Sequence, residues 1–495
     1  MKKIYTFIVA LLLLPAVLSA QEQTLTLTTS RAVGETLTFT VNRTPGGINV
    51  DWGDGNAVSY SNTSDVLLEV SGTLAGQTVT ITGDQFLNTI ICEGQGLTAV
   101  NLTNAPNLKS VYLSHNELSA LAVRALGKNL LDLDCSHNAL KALSLSVSNH
   151  PNVETLNISN NELGSLSGTS TSTNYVGTFA NLQYLDISDN GRIKQAVVSS
   201  NNKLDYLNCS GNVLTRLTLP SEGRLTTIDA AGNSLTALDV TPFSGLQQID
   251  ITGNSITTLD LSNTKVVSEI FAADNELTSL PFTTRAARDT IYICDIRGNR
   301  LHFNGLPRTT SKMKYLNVYP QRPFALTTDM GFKQGSVVVD GETYSALYVT
   351  QNPSYASRTN TDYIVDLTPL RTDGNGSARN VLTFISVNGN DSTELVQYLV
   401  SAGDGDYTVT GNKFTFLKEY RTIVIKLTNT TGYYKDYTFV SEPFTINEPT
   451  ATAIGNITLD TNEMDNAPIY DLQGRRVTNP QRGVYIIGGK KVFIR

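Results

Sequence analysis

The chain has 495 residues, and 44 acidic against 37 basic side chains give it a formal net charge of −7. This balance excludes the basic surface that nucleic-acid-binding proteins usually carry, and an apolar content of 40% excludes a disordered chain. Four cysteines exclude a disulfide scaffold, and four histidines leave little material for a histidine-rich metal enzyme.

Residues 1–20 have the features of a secretory signal peptide. Lys2 and Lys3 precede an apolar run at residues 8–17, and Ala20 supplies a small residue before Gln21. The run is too short to span the ~30 Å of a bilayer core, and no later stretch reaches the ~18 apolar residues that a transmembrane span needs. We therefore expect cleavage after Ala20 and a protein that is secreted or held at the cell surface, associated with the outer membrane.

Residues 21–85 are predicted to form a small β-domain. Alternating threonine and apolar residues at 24–28 and 36–41 are typical of antiparallel strands. The V-D-W-G-D-G segment at residues 50–55 resembles a strand and turn of polycystic-kidney-disease-like β-sandwich domains, and we expect Trp52 in the core rather than at a binding site. This domain would cap the exposed apolar end of the region that follows.

Residues 86–323 repeat the pattern L-x-x-L-x-L-x-x-N-x-L about eleven times, as in Leu130, Leu133, Cys135, Asn138 and Leu140. Most steps are 21 to 24 residues, and one longer step contains a Ser-, Thr- and Gly-rich insertion at residues 164–177. Gln95 and Gln321 hold the asparagine position in the degenerate first and last copies. The asparagines predicted to form a structural ladder are Asn116, Asn138, Asn161, Asn190, Asn212, Asn233, Asn254, Asn275 and Asn299. The pattern resembles that of the leucine-rich repeat family.

The physical chemistry of one repeat agrees with this resemblance. Two alternating apolar residues predict a short strand with one buried face, and each repeat must stack on its neighbours to enclose a core. The asparagine amide can satisfy backbone groups in the buried turn. We therefore predict a mainly β protein, with a leucine-rich repeat solenoid of about 11 repeats, about 50 Å long at ~4.8 Å per strand, flanked by small β-sandwich domains.

The four cysteines are expected to be free, buried core residues. Cys92, Cys135 and Cys209 occupy one inward position of the repeat and Cys294 another. They lie in non-adjacent repeats, at least ~10 Å apart, whereas the Cα atoms of a disulfide must lie within about 7 Å. The sequence contains no C-x-x-C spacing, the pattern that would indicate a metal or redox role.

Three further regions follow the repeats. Short strand patterns predict an immunoglobulin-like β-sandwich at residues 324–447, and residues 448–455 are interpreted as a linker. Residues 456–495 contain Y-D-L-Q-G-R-R-V at 470–477 and G-V-Y at 483–485. They resemble the C-terminal sorting tail of exported Bacteroidota proteins, which implies recognition by a type IX export machinery and surface attachment. The alternative is one more small β-module.

Motifs of catalysis are absent from the sequence: no G-x-S-x-G, H-E-x-x-H or G-x-x-x-x-G-K-[ST] occurs. We predict no catalytic residue, no metal site and no cofactor. His115 and His137, each in Ser-His-Asn, are interpreted as a solvated pair rather than metal ligands. Residues 404–406 and 460–465 faintly resemble calcium loops, but the second lacks the glycine and glutamate expected of an EF-hand, so turns are favoured.

The concave face of the solenoid is the predicted binding surface. Strand residues beside the inward apolar ones point to this face, and many are aspartate or aromatic. L-D-L is also a common form of a solvated strand face, but tyrosine is enriched at interfaces. The predicted ligand-binding residues are Tyr112, Asp134, Tyr184, Asp186, Tyr206, Asp229, Asp250, Phe271, Asp295 and Tyr315.

These observations predict a non-enzymatic, surface-exposed adhesin or interaction scaffold. Its partner would be a host or other extracellular protein with a basic face. A glycan ligand or a structural role in the cell envelope is the alternative. An enzyme subunit with a site in the 324–447 domain is the third hypothesis, and nucleic acid is not expected as a partner.

Overall fold

Short strands dominate the chain in the computed structural model. The structure describes residues 22–42, 44–61, 67–143, 145–146, 148–164, 179–281, 290–307, 313–330, 332–339, 342–349, 363–367, 370, 380–388, 391–395, 405–410, 413–416, 422–429, 437–446, 469–470, 483–487 and 490–494. The chain divides into two units, Met1–Leu204 and Asp205–Arg495. The predicted signal peptide, most of the insertion at 164–177, the linker at 448–455 and residues 460–465 lie outside the described residues.

The first unit contains thirteen named strands among its described residues, with a 3-10 helix at Val123–Asn129. These strands are β1 (Gln23–Thr29), β2 (Thr36–Asn42), β3 (Ile48–Asp51), β4 (Ala57–Tyr60), β5 (Leu67–Thr73), β6 (Thr78–Gly83), β7 (Thr89–Ile91), β8 (Leu97–Asn104), β9 (Ser110–Tyr112), β10 (Asp132–Asp134), β11 (Thr155–Asn157), β12 (Tyr184–Asp186) and β13 (Gln195–Val197).

The N-terminal part of this unit is a cap of antiparallel strands in the order β4-β3-β6-β1-β8, with β2 and β5 paired beside them. Trp52 is 7% exposed and donates from Nε1 to the Tyr60 hydroxyl at 3.0 Å, so its expected core position is confirmed. A Cβ on Gly72 would lie 2.2 Å from the Trp52 ring, so only glycine fits there. The cap extends beyond residue 85, the expected end of the N-terminal domain, because β8 pairs with the otherwise open edge of β1.

The cap leads directly into a parallel ladder. β7 pairs antiparallel with β2 on one edge and parallel with β9 on the other. Strands β9, β10, β11 and β12 continue in register, so that Val111, Leu133, Leu156 and Leu185 lie side by side. Each of these central residues is at most 1% exposed. The alternation of one buried residue between two more polar ones therefore produces a one-sided strand in each repeat.

The second unit contains twenty named strands among its described residues, with a 3-10 helix at Thr328–Met330. They are β14 (Tyr206–Asn208), β15 (Arg216–Thr218), β16 (Thr227–Asp229), β17 (Gln248–Asp250), β18 (Glu269–Phe271), β19 (Ile291–Asp295), β20 (Met313–Asn317), β21 (Lys333–Val339), β22 (Glu342–Val349), β23 (Tyr363–Asp366), β24 (Asn380–Asn388), β25 (Asp391–Glu394), β26 (Tyr407–Thr410), β27 (Lys413–Phe416), β28 (Ile423–Asn429), β29 (Thr438–Val440), β30 (Phe444–Ile446), β31 (Ile469–Tyr470), β32 (Gly483–Ile487) and β33 (Lys490–Ile494).

A parallel ladder of the same kind opens the second unit. Strands β14, β16, β17, β18, β19 and β20 pair in register, with Leu207, Ile228, Ile249, Ile270 and Cys294 each fully buried at the centre. The predicted fold class, a mainly β protein built on a leucine-rich repeat solenoid, is confirmed by this register.

Asparagine side chains hold the turn that follows each ladder strand. Asn275 is fully buried; its Nδ2 donates to the Ile251 carbonyl of the preceding repeat at 2.8 Å and to the Ala273 carbonyl at 3.1 Å, and its Oδ1 accepts from Ile256 N at 3.0 Å. The same bonds to the preceding repeat are made by Asn116, Asn138, Asn161, Asn190, Asn233, Asn254 and Asn299. Asn212 donates to the Cys209 and Ser210 carbonyls of its own turn. Each amide thus replaces backbone partners that a buried turn lacks.

The residue before the ladder asparagine adopts a left-handed conformation. Its φ lies between 51° and 69° at His115, His137, Asn160, Asp189, Gly211, Gly232, Gly253, Asp274 and Gly298. In inner repeats its N–H also donates to the next repeat, as Gly232 N does to Thr252 O at 2.7 Å. Pro320 occupies this position in the last repeat. Because proline has no N–H and a φ fixed near −65°, the pattern ends there.

A second series of asparagines, which the sequence pattern did not reveal, lies just before the first apolar residue of repeats in the first unit. Each Nδ2 donates to a carbonyl of the preceding repeat. The pairs are Asn107 with Gln85 O, Asn129 with Pro106 O, Asn152 with Lys128 O and Asn181 with Pro151 O, at 2.9 to 3.3 Å. The repeats of this unit are therefore joined by side-chain amides at two places.

A charged network joins the last repeats of the second unit to the region that follows. Arg300 Nε lies 2.5 Å from Glu276 Oε2, and Arg300 Nη1 lies 2.5 Å from Glu442 Oε1. Arg322 binds the other oxygen of Glu276 at 2.6 Å. Burial raises the pKa of Glu442, while Arg300 acts in the opposite direction. The network fixes the end of the repeats against the strand that leads to Glu442.

Two further sheets form a β-sandwich after the repeats. One has the order β21-β22-β30-β28-β24-β25, with β29 on β28, and the other the order β23-β27-β26. The Phe384 ring of the first sheet lies 5.0 to 5.1 Å from the rings of Tyr407, Phe414 and Phe416 of the second. Strands β31, β32 and β33 form a separate antiparallel sheet within the tail at 456–495.

We predict that Asn275→Ala lowers the free energy of unfolding by about 3 kcal/mol, since a buried hydrogen-bonding group left unpaired costs about 1–3 kcal/mol. Urea unfolding followed by circular dichroism measures this loss. Asn263→Ala is the matched control: its amide makes one exposed bond, to Thr241 O at 2.7 Å, and its loss should cost less than about 1 kcal/mol. Equal losses in the two variants would contradict the structural role of the ladder.

A second prediction concerns His302, whose ring packs edge-on against Phe324 with centroids 5.5 Å apart. Burial lowers the pKa of His302 from 6.5 to about 4. Between these values the unfolded chain binds a proton that the folded chain does not, so stability should fall as pH drops from about 6.5 to about 4. His302→Gln should remove part of this slope in unfolding midpoints measured at pH 7, 5.5 and 4. An unchanged slope would refute the assignment.

Candidate functional site

The side chains that flank the buried central residue of each ladder strand form what we call the open strand face. Nearly all these strands have one buried residue between two partly exposed ones. Because the backbone of each inner strand is paired on both edges and that of the end strand β20 is paired with β19, these side chains are presented from a fixed frame. This face contains the predicted ligand-binding residues of both units, and each unit is described separately.

In the first unit, the open strand face brings two predicted residues together. Tyr112 pairs in register with Asp134, which pairs in turn with Asn157. Burial is the largest effect that raises the pKa of Tyr112, and Asp132 and Asp134 add to it. Tyr184 and Asp186 lie on β12, two strands further along, beside Thr155 and Asn157.

In the second unit, the six predicted residues fall into two neighbouring columns of the open strand face. Asp229, Asp250, Phe271 and Asp295 pair in register on successive strands. Tyr315 follows Glu269 and Ile293 in the adjacent column. Tyr206 begins that second column, beside Thr227.

The aspartates of this face also have a structural role that the sequence pattern did not show. Asp134, Asp186, Asp229 and Asp250 each accept, through Oδ1, a hydrogen bond from the backbone N–H two residues later, at 2.8 to 3.0 Å. Such a side-chain bond stabilises the turn that leaves the strand. The L-D-L spelling is therefore explained in part by the turn.

Two predicted ligand-binding aspartates differ from the solvent-facing position expected of them. Asp186 is 8% exposed, and its Oδ1 also accepts from the Ser188 hydroxyl at 2.6 Å. Asp295 is 9% exposed because Arg297 covers it, with Nη2 2.7 Å from Oδ2. Neither carboxylate is well placed to meet a partner directly.

An exposed aromatic cluster occupies the last two ladder strands of the second unit. The rings of Tyr292 and Tyr315 are nearly perpendicular, at 77°, with centroids 5.5 Å apart, and the residues are 43% and 52% exposed. The Lys314 ammonium lies 4.6 Å from the Tyr292 centroid and 5.4 Å from that of Tyr315. Tyr292 and Lys314 were missed by the sequence reasoning because they lie one residue outside the alternating strand column.

The cysteines and histidines offer little chemistry in the described part of the chain. All four cysteines are free and buried, as expected; burial raises the pKa of Cys92 and Cys294 to about 12, and also raises that of Cys135. The exposed rings of His115 and His137 stack in parallel, 4.0 Å apart. Among the described residues, no group of three or more His, Cys, Asp or Glu side chains is placed to hold a metal ion.

Within the described ranges, no helix combines the length and the apolar character that crossing a membrane requires.

No protein-family model matches the chain, and no curated protein matches it significantly. Among solved structures, it is similar to the functional domain of InlJ from Listeria monocytogenes, at 18% identity and a TM-score of 0.35, over 74% of this chain and 93% of that one. InlP from the same bacterium is 13% identical, with a TM-score of 0.32, over 70% of this chain and 76% of that one. The plant peptide hormone receptor RGFR1, in complex with RGF2, gives 19% and 0.35 over 45% of this chain, which spans 41% of the receptor chain.

These similarities are low, and the assignment of the fold stands on the protein's own geometry. The strand register and the asparagine bonds define a leucine-rich repeat solenoid. The candidate functional site is the open strand face of the second unit. It comprises the column of Asp229, Asp250, Phe271 and Asp295, which we call the acidic column, and the tyrosine pair of Tyr292 and Tyr315.

Proposed function

We propose that the protein is a non-enzymatic interaction scaffold that binds a protein partner through the open strand face of its second unit. One observation carries this proposal: a hydrogen-bonded ladder displays partly exposed acidic and aromatic side chains on one side while it buries a continuous apolar core on the other. Because the ladder already holds these side chains in place, less conformational entropy is lost when a partner binds. Tyrosines with exposed rings are typical residues of protein interfaces.

A binding screen tests this function. The mature protein would be applied to arrays of extracellular proteins and of glycans, and we expect protein hits. Thr227→Arg with Gln248→Arg places two long side chains on the face and should weaken binding of a hit about tenfold or more, which corresponds to about 1.4 kcal/mol. Thr236→Arg with Thr258→Arg is the matched control, since both threonines are exposed and lie outside the ladder strands.

The outcomes of this screen separate the alternatives. Hits that tolerate the face variant as well as the control would move the site elsewhere. Glycan hits alone would refute a protein partner.

We further propose that the protein acts at the cell surface as an adhesin. Two features support this proposal: the signal-peptide pattern of residues 1–20, and the resemblance of residues 456–495 to a sorting tail. The tail contains its own antiparallel sheet of β31, β32 and β33, and this separation from the other sheets is compatible with an appended module.

Deleting residues 456–495 should leave the ladder and the sandwich folded while the protein no longer reaches or stays on the surface of the producing cell. Circular dichroism checks the fold, and antibody labelling of intact cells measures surface exposure. A chain in which only the order of residues 470–477 is scrambled serves as a control of equal length. Normal surface labelling of the deletion variant would rule out the sorting role.

A further inference from the structure

The tyrosine pair of the second unit is an aromatic corner that already holds a cation. Tyr292 and Tyr315 meet at 77°, and the Lys314 ammonium lies over both rings. A cation within about 6 Å of a ring centroid is attracted by the negative face of the ring. Both residues remain about half exposed, at 43% and 52%, with Lys314 in place. Ring surface is therefore left for a second cationic group.

The strands before this corner have a one-sided charge. Residues 205–211, 226–232, 247–253 and 268–274 contain Asp205, Asp229, Asp250, Glu269 and Asp274 and no lysine, arginine or histidine. Asp229 and Asp250 are direct neighbours in the ladder, and like charges on neighbouring strands are unfavourable. A basic partner would relieve this repulsion, whereas a neutral or acidic one would not.

The acidic column and the aromatic corner lie at a distance that an extended peptide can cover. From β16, which carries Asp229, to β20, which carries Tyr315, there are four strand steps. At ~4.8 Å per step this is roughly 19 Å, which about six residues of extended chain span at ~3.3 Å each. One short segment can therefore contact both features.

We propose that this face binds an extended basic segment of a protein partner. Its arginine or lysine side chains pair with Asp229, Asp250 and Glu269, and one of them packs on the rings of Tyr292 and Tyr315. Arginine suits both contacts, because its planar guanidinium binds carboxylates in a forked geometry and stacks on aromatic faces. This inference rests on the proposed function and adds the chemical class of the partner and its location on the face.

The test uses a fluorescein-labelled peptide of six Arg-Ser repeats, with six Glu-Ser repeats as the charge-reversed control. Fluorescence anisotropy with the mature protein should show binding of the arginine peptide only, and this binding should weaken strongly between 50 and 300 mM NaCl because salt screens exposed charges. Lack of binding of the arginine peptide at 50 mM salt overturns the inference. A protein hit from the array screen that loses affinity in the Thr227→Arg, Gln248→Arg variant would then still support the proposed function.

Asp229→Asn with Asp250→Asn should weaken the arginine peptide about tenfold at low salt, in keeping with the loss of two close charge pairs. The chain offers a closely matched control, Asp239→Asn with Asp260→Asn. These aspartates lie outside the ladder strands, and each accepts the same bond from the N–H two residues later, at 3.0 and 2.8 Å. The control removes the same charge and, like the test variant, keeps a side-chain oxygen that can accept the local bond, as Asn157 and Asn208 do. An equal loss in both double variants would show attraction to net charge alone and overturn the site.

Tyr292→Leu with Tyr315→Leu tests the aromatic corner. Leucine keeps an apolar surface but has no ring face to attract a cation, so the arginine peptide should bind more weakly by about fivefold or more when both rings are lost. Unfolding midpoints should show that the double leucine variant and both double aspartate variants are folded. Unchanged affinity in the leucine variant would remove the tyrosines from the site.

Discussion

Every repeat of this protein depends on one constraint: the turn that leaves a buried strand must have hydrogen-bond partners for its backbone groups. One buried asparagine supplies them, with its amide NH2 bonded to two repeats at once and its oxygen bonded to a backbone N–H. The left-handed residue before it makes the turn tight enough for this contact. These bonds favour a continuous apolar core, because they pair backbone groups that would otherwise be buried without partners.

Much of the fold can be predicted from the sequence, because this constraint produces a fixed sequence pattern of leucine and asparagine positions. The leucine and asparagine positions predict the strands, their register and the burial of cysteines such as Cys135. The second series of asparagines could not be predicted, because an asparagine such as Asn129 is common in surface turns and its sequence position does not indicate a bond to the preceding repeat. The pairing of β8 with β1 was also hidden, since the strand pattern of residues 97–104 does not say which edge it will find.

The sequence predicted which residues of the candidate site lie in one strand column, but not which of their side chains are exposed. Strand alternation correctly placed Asp250 and Tyr315 on the open side of the ladder. It could not show that Arg297 covers Asp295, because that ion pair depends on side-chain direction. Tyr292 and Lys314 lie inside β19 and β20, one residue before Ile293 and Tyr315 of the column, so simple alternation skips them. The candidate site is thus distinct from the core: buried ladder residues such as Asn275 maintain the frame, whereas Tyr292 and Tyr315 are about half exposed.

The asparagine contacts reach only from one repeat to the next, and this has a consequence for the size of the protein. Asn233, Asn254 and Asn275 are spaced by the same number of residues and make equivalent bonds. Duplication or loss of one such unit leaves every amide with an equivalent neighbour, so the array can change length by whole repeats through simple recombination. Addition of a repeat after Pro320 is different, because proline has no N–H to donate to the added repeat. A change in the number of repeats is therefore compatible with the fold inside the array, whereas the last repeats are held to the region that follows by the Arg300–Glu442 ion pair.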